Sequence, residues 1–174
     1  MPFAITLRFD PKTEQIIGRM WQALAEAGID DDRNTLGYPA HITLAIYPDG
    51  TPAEPLRSAV DRLGGIWGTL PMALAGFGVF PGPTSIVWAA PVVTAALLSC
   101  QAELLAALPK LPVHAHYQRD RWVPHVTLTG SLPTPEPALA ALRPLWRPIA
   151  GRLERLDLVR FRPVQVMGSH ALDR

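Results

Sequence analysis

An order of strand, helix, strand, helix, strand can be read twice along this chain, and a chain that repeats such an order has few ways to bury its apolar faces. Prolines mark the divisions. There are 19 in 174 residues, about twice the usual ~5%, and most fall between periodic segments. Phe3-Ala4-Ile5-Thr6-Leu7-Arg8-Phe9 alternates, which predicts a strand with Phe3, Ile5, Leu7 and Phe9 on the apolar face and Thr6 and Arg8 on the other. Asp10-Pro11 reads as an N-cap followed by proline at the first helical position. Ile16, Ile17, Met20, Trp21, Leu24 and Ala27 then recur at helical spacing up to Gly28. Residues 30–34 read as a polar loop, 38–47 as a second strand, 48–50 as a turn, 54–64 as a second helix and 69–80 as a third strand. The order then restarts. Residues 85–90 predict a strand, 94–108 a helix capped by Thr94, 121–129 a strand, 137–149 a helix broken by prolines, and 152–161 and 163–169 two more strands.

Two copies are too few and too dissimilar for a solenoid. They predict an α+β fold: duplicated and bilobal, with two antiparallel or mixed sheets lining a central cleft and helices outside. One such domain over residues 1–174, with pseudo-repeats at approximately 3–80 and 85–170, suits the length. Apolar residues make up 48%, which excludes wholesale disorder, and no apolar run reaches the ~18 residues of a membrane span. The start meets Arg8 and Asp10 with no basic n-region before them, which reads as a chain without a signal peptide, hence cytoplasmic. A lone cysteine, Cys100, excludes an internal disulfide and a multi-cysteine zinc site; among apolar helical neighbours it is expected to be buried and inert. The net charge of +1 carries no bulk attraction to nucleic acid. Residues 1–100 hold 6 Lys+Arg against 9 Asp+Glu, and residues 101–174 hold 10 against 6. That basic half is far less dense than a DNA-binding domain, so double-stranded DNA is not an expected partner. A monomer is expected.

The two copies share one short string. Pro39-Ala40-His41-Ile42-Thr43-Leu44 lies on the second strand of the first copy, and Pro124-His125-Val126-Thr127-Leu128 on the second strand of the other. Residues two apart on a strand point the same way. His41 and Thr43 therefore share one face and Ile42 and Leu44 the other; His125 and Thr127 oppose Val126 and Leu128 in the same manner. An approximate twofold axis would bring both polar pairs to one cleft. Histidine titrates near ~6.5 and gives or takes a proton at neutral pH. Phosphoester cleavage wants a base on the attacking oxygen and an acid on the leaving one. Two histidines on opposite sides of a phosphate suit that geometry without a metal, and threonine hydroxyls donate to the non-bridging oxygens.

These residues resemble the two-histidine (2H) phosphoesterase superfamily, defined by paired H-x-T/S motifs, and within it the 2′-5′ RNA ligase-like branch, relatives of 2′,3′-cyclic phosphodiesterases. Gly76-Phe77-Gly78-Val79-Phe80-Pro81, Val87-Trp88-Ala89-Ala90-Pro91 and Arg121-Trp122-Val123-Pro124-His125 also look like that branch. The resemblance implies metal-independent hydrolysis of a 2′,3′-cyclic phosphate at an RNA end or on a nucleotide, with no cofactor. It implies His41 as general acid, His125 as general base, and Thr43 and Thr127 as phosphate ligands. Several relatives have a basic residue just after the second motif; here Leu128 is followed by Thr129-Gly130-Ser131. That departure counts against tRNA-ligase activity and leaves the source of phosphate-neutralising charge open. Alternatives are a 2′-5′ RNA ligase, a hydrolase of another cyclic phosphate, and a non-catalytic module that binds a nucleotide or RNA terminus.

Aligning the copies at Pro11 and Pro91 sets Arg8 against Trp88. Both are candidate substrate-binding residues, Arg8 for charge and Trp88 for stacking on a base. His114 and His116 have no third ligand at metal-site spacing, so a loop or edge-strand role is expected. His170 has no partner in sequence. Tyr117 and Arg119 are candidates for the cleft rim.

Overall fold

The computed structural model describes residues 1–173. In chain order it contains β1 (Phe3–Phe9), α1 (Pro11–Glu26), α2 (Asp32–Leu36), β2 (His41–Tyr47), α3 (Ala53–Gly64), β3 (Leu70–Phe80), β4 (Ile86–Pro91), α4 (Ala95–Ala107), β5 (Val126–Thr127), α5 (Glu136–Leu142), β6 (Ile149–Arg160) and β7 (Gln165–Ala171). Short 3-10 turns cover Ala115–Tyr117 and Arg143–Leu145.

The seven strands pair antiparallel in the order β2-β1-β6-β3-β4-β5, with β7 also on β6. Strand β6 is the join. Ile149–Leu153 pairs with β3, Leu153–Arg160 with β1, and Arg155–Arg160 takes β7 on the edge opposite β1. The α+β class and antiparallel pairing are as expected, and the two sheets are two wings of one continuous sheet. One wing reads β2-β1-β6 and the other β5-β4-β3. The third strand of each half of the chain thus sits in the wing begun by the other half.

Alternation builds the core. Phe3, Ile5, Leu7 and Phe9 of β1 are buried in one cluster with Ile17, Met20 and Leu24 of α1, Leu56 and Val60 of α3, Leu97 and Leu104 of α4, and Leu142 of α5. Each such side chain contributes about 1.5–3 kcal/mol on burial. Ala4, Tyr38 and Val159 form a small cluster on the other face. Helix α1 starts where Asp10 accepts from the Thr13 amide (3.0 Å) and hydroxyl (2.9 Å). The same carboxylate accepts from the Arg152 amide at 2.7 Å, so the cap also ties α1 to β6. The helix ends before Gly28, whose φ of 66° suits the left-handed position.

The differences from the sequence reading have local causes. The polar loop at 30–34 instead leads into a single-turn helix, α2, closed by Gly37 at φ 64°. The second strand begins at His41 rather than 38, because Pro39 has no amide to donate and its carbonyl is taken by the His41 ring. The strand expected over 121–129 shrinks to Val126–Thr127. Pro124 lacks an amide, and the Val123 carbonyl accepts from His125. At the far end Thr129 Oγ1 accepts from the Val87 amide at 2.9 Å, replacing a backbone partner. The proline-broken helix stops at Leu142, and β6 begins at Ile149 rather than 152 because Ile149 is buried against Leu74. The last strand, expected at 163–169, is displaced to Gln165–Ala171. Among the described residues no helix is long and apolar enough to cross a membrane.

Candidate active site

The two motifs lie on the outer strands of the two wings, β2 and β5. Strand β2 carries a bulge: Ile5 faces Ala45 but Thr6 faces Thr43, so Leu44 is an extra residue. Ile42, Leu44, Ala45 and Tyr47 therefore all go to the core, while His41, Thr43 and Ile46 turn to the opposite side. On β5, Val126 and Leu128 are buried in the same core. His41, Thr43, His125 and Thr127 line one cavity of about 190 Å³ together with Thr6, Tyr38 and Tyr117.

The two histidines are held alike. His41 Nδ1 is 2.7 Å from the Pro39 carbonyl, and His125 Nδ1 is 2.8 Å from the Val123 carbonyl, in each case two residues back. A carbonyl only accepts, so Nδ1 carries the hydrogen and Nε2 is left as the reactive nitrogen. Burial pushes the His41 pKa down to about 4, with the nearby Arg33 and His125 charges adding to the effect against the Pro39 hydrogen bond. Burial lowers His125 as well. Both imidazoles are therefore neutral at pH 7 in the free protein. Each motif threonine is also braced through its carbonyl by an indole from elsewhere in the chain: Trp122 Nε1 donates to Thr43 at 3.0 Å and Trp21 Nε1 to Thr127 at 3.2 Å.

A family model described as the 2′-5′ RNA ligase superfamily matches residues 9–164. The chain belongs to this superfamily, the two-histidine phosphoesterases. Membership places it among phosphoesterase- and ligase-type enzymes. No curated protein matches the sequence closely. Solved structures share the fold: the Thermus thermophilus protein TT0787 (16% identity, TM-score 0.68, 99% of this chain and 98% of that one), and Escherichia coli LigT complexed with 3′-AMP (13%, 0.63, 100% of both chains). Kluyveromyces marxianus Usb1 with uridine monophosphate is more distant (14%, 0.51, 98% and 97%).

In this superfamily member, positive charge reaches the cavity from residues outside the motifs. Arg33 of α2 and Arg162 of the β6–β7 turn both line it, and among the described residues no carboxylate does. The sequence singles out neither as a site residue; Arg162 is one of several arginines in the basic second half. Arg33 lies in the stretch read as a loop, and Arg162 is 130 positions from its ion-pair partner Asp32. Tyr38 was missed too. Its ring packs on His41 with centroids 4.8 Å apart. Its hydroxyl donates to Asp157 at 2.8 Å and accepts from Thr6 at 2.8 Å. Ser169 Oγ donates to the other Asp157 oxygen at 2.5 Å. The rim candidate Tyr117 does line the cavity, its hydroxyl beside the Thr43 side chain and its pKa pushed up to about 12 by burial; Arg119 does not.

Arg8 and Trp88 are not among the lining residues. Arg8 donates to Glu14 at 3.1 and 3.0 Å, approaches Asp157 at 3.5 Å and lies over the Tyr38 ring at 6.0 Å. It supports Tyr38 and does not face the cavity. Nor do the two residues occupy equivalent places: Arg8 is opposite His41, whereas Trp88 is opposite Thr127, so the counterpart of Trp88 is Thr6. Trp88 packs beside the second motif on the same face of the sheet, stacked on Phe80 at 5.1 Å and 6.1 Å from the His125 ring. Gly78 makes room for it, since a Cβ there would overlap the indole. Gly78→Ala therefore has to displace Trp88 and with it His125. The expected result is a kcat lowered ~10²-fold, as for other small misplacements of a reacting group, measured beside a melting curve of the same variant.

His114 precedes the 3-10 turn and His116 lies within it, their rings stacked with centroids 5.1 Å apart, and the described residues hold no metal-binding group of three. His170 packs on Gly64, where a Cβ would overlap its ring. Cys100 is buried, its pKa pushed up to about 12 by burial and by Glu103.

Proposed function

We propose that this protein hydrolyses 2′,3′-cyclic phosphates at RNA ends or on nucleotides, with the two motif histidines as acid and base. The observation that carries this reading is the pair of imidazoles, each fixed through Nδ1 with Nε2 left free, on a cavity that also holds two threonines and two arginines. Binding alone needs neither an acid nor a base. In the forward step, His125 Nε2 takes the proton of an attacking water as its oxygen bonds to phosphorus. The bond from phosphorus to the ribose 3′ oxygen breaks, and His41, entering the step as the imidazolium, delivers its Nε2 proton to that oxygen, leaving a 2′-phosphate. Thr43 and Thr127 donate to the non-bridging oxygens, and Arg33 and Arg162 offset their charge. The nucleoside occupies an adjoining apolar cavity of about 740 Å³, which shares Ile46, Tyr117, His125 and Phe161 with the first and adds Phe80 and Trp122.

The test is turnover of 2′,3′-cyclic AMP, 2′,3′-cyclic CMP and a cyclic-phosphate-ended oligonucleotide in EDTA. Hydrolysis to a monoester is expected, and no product from any of the three would overturn the reading. Its pH profile follows from the imidazoles. Activity needs one protonated and one neutral, and kcat/KM reports the free enzyme. Since His41 is down to about 4 and His125 also lies below its ordinary value, the singly protonated form is most populated below pH ~6.5. The kcat/KM optimum is expected there. The bound phosphate anion stabilises the imidazolium, so the optimum of kcat should lie at higher pH.

A further inference from the structure

The two arginines at the cavity are not free cations. Arg162 donates to both oxygens of Asp32, at 3.0 and 3.2 Å, and Arg33 pairs with the same carboxylate. Asp32 does not line the cavity; both arginines do. The Arg33 side chain is only 13% exposed, and its Nε is buried with no partner among the described residues. An unpaired donor on a buried guanidinium beside a cavity free of carboxylates points to an anionic occupant. The aspartates around it have separate tasks. Asp30 accepts from the Gly130 amide at 3.0 Å, just past the second motif, and Asp31, the residue before α2, accepts from Asn34 of that helix at 2.8 Å. Of these three aspartates, Asp32 is the one paired with the arginines. Hydrogen bonds from Arg162 hold its pKa near 2, with Arg33 acting in the same direction against a smaller burial effect, so it is ionised at any working pH.

Resting on the functional reading above, we propose that Asp32 sets the charge of the phosphate cavity and thereby selects the diester over the monoester. With both imidazoles neutral, two guanidiniums and one carboxylate leave one positive charge. A cyclic phosphodiester carries one negative charge, while a phosphomonoester carries about −1.5 to −2 at pH 7. The cavity matches the diester and leaves the monoester's extra charge without a counter-ion. The same carboxylate competes with the product for both arginines, which favours release after ring opening. Asp32 is a positioning and specificity residue in this account, since it acts through Arg33 and Arg162.

The test uses two ligands that differ in one charge, adenosine 2′-monophosphate and its monomethyl phosphate ester, titrated calorimetrically into the intact protein at pH 8. The wild type is expected to bind the ester at least as tightly as the monoester. Asp32→Asn removes the charge at nearly constant shape; it should tighten monoester binding at least fivefold and change ester binding less than twofold. Equal tightening of both ligands, or of neither, overturns the proposal. Arg162 is 57% exposed on a turn and supplies a second variant should Asp32→Asn melt early: Arg162→Gln should weaken the monoester several-fold more than the ester, and equal weakening counts against the proposal. Turnover by the wild type with unchanged monoester affinity in Asp32→Asn would sink the charge proposal alone. Tightened monoester binding with no turnover of cyclic substrates would sink the functional reading alone.

Discussion

Alanine at either His41 or His125 is expected to lower kcat for a 2′,3′-cyclic phosphate about 10³-fold, within the 10²–10⁴-fold usual for a positioned acid or base. That corresponds to about 4 kcal/mol of transition-state stabilisation. KM should change little, because Thr43, Thr127, Arg33 and Arg162 remain on the cavity. The double variant should fall no more than about tenfold below either single one, since an acid without its base contributes little. Steady-state kinetics on the three variants checks all of this. A His125→Ala enzyme that kept a tenth of its activity would mean that the ring at that position does not handle a proton in the slow step.

Asp157→Ala is expected to have the largest effect on stability, a loss of about 3–5 kcal/mol in urea denaturation, as when one partner of a buried charged pair is removed. Asp157 is fully buried on β6. It accepts from Tyr38 and Ser169 and faces Arg8. Without it the Tyr38 hydroxyl, whose ionisation burial and the Asp157 charge already oppose, loses its acceptor in the interior. The damage extends to the site, because the Tyr38 ring packs on His41. Asp157→Asn restores one acceptor and should recover part of the loss; full recovery would mean that charge is irrelevant in this network.

The motif pairs were legible because they rest on local rules. Alternation placed His41 with Thr43 and His125 with Thr127, and both pairs reach one cavity. The Asp10 and Thr94 caps followed from residue chemistry, and both are present. Charge at the site was not legible. Arg33 lies in a polar stretch that gave no reason to expect a helical turn, and Arg162 arrives on a turn after a strand that has changed wings. Long-range pairing of that kind leaves no periodic trace in a single sequence. The Arg8–Trp88 equivalence failed for a related reason. Aligning prolines assumes that they fall at equivalent places, but Pro11 opens helix α1 whereas Pro91 is the last residue of strand β4, paired with Leu74.

The exchange of β3 and β6 has a consequence for how this enzyme can be taken apart. Cutting the chain between Phe80 and Ile86 would leave each fragment holding two neighbouring strands of one wing and the inner strand of the other. Neither fragment would carry a complete three-stranded unit, so recovery of activity from the two pieces would require them to recombine. The pairing that brings the two imidazoles to one cavity is then the same pairing that makes each half of the polypeptide a template for the other.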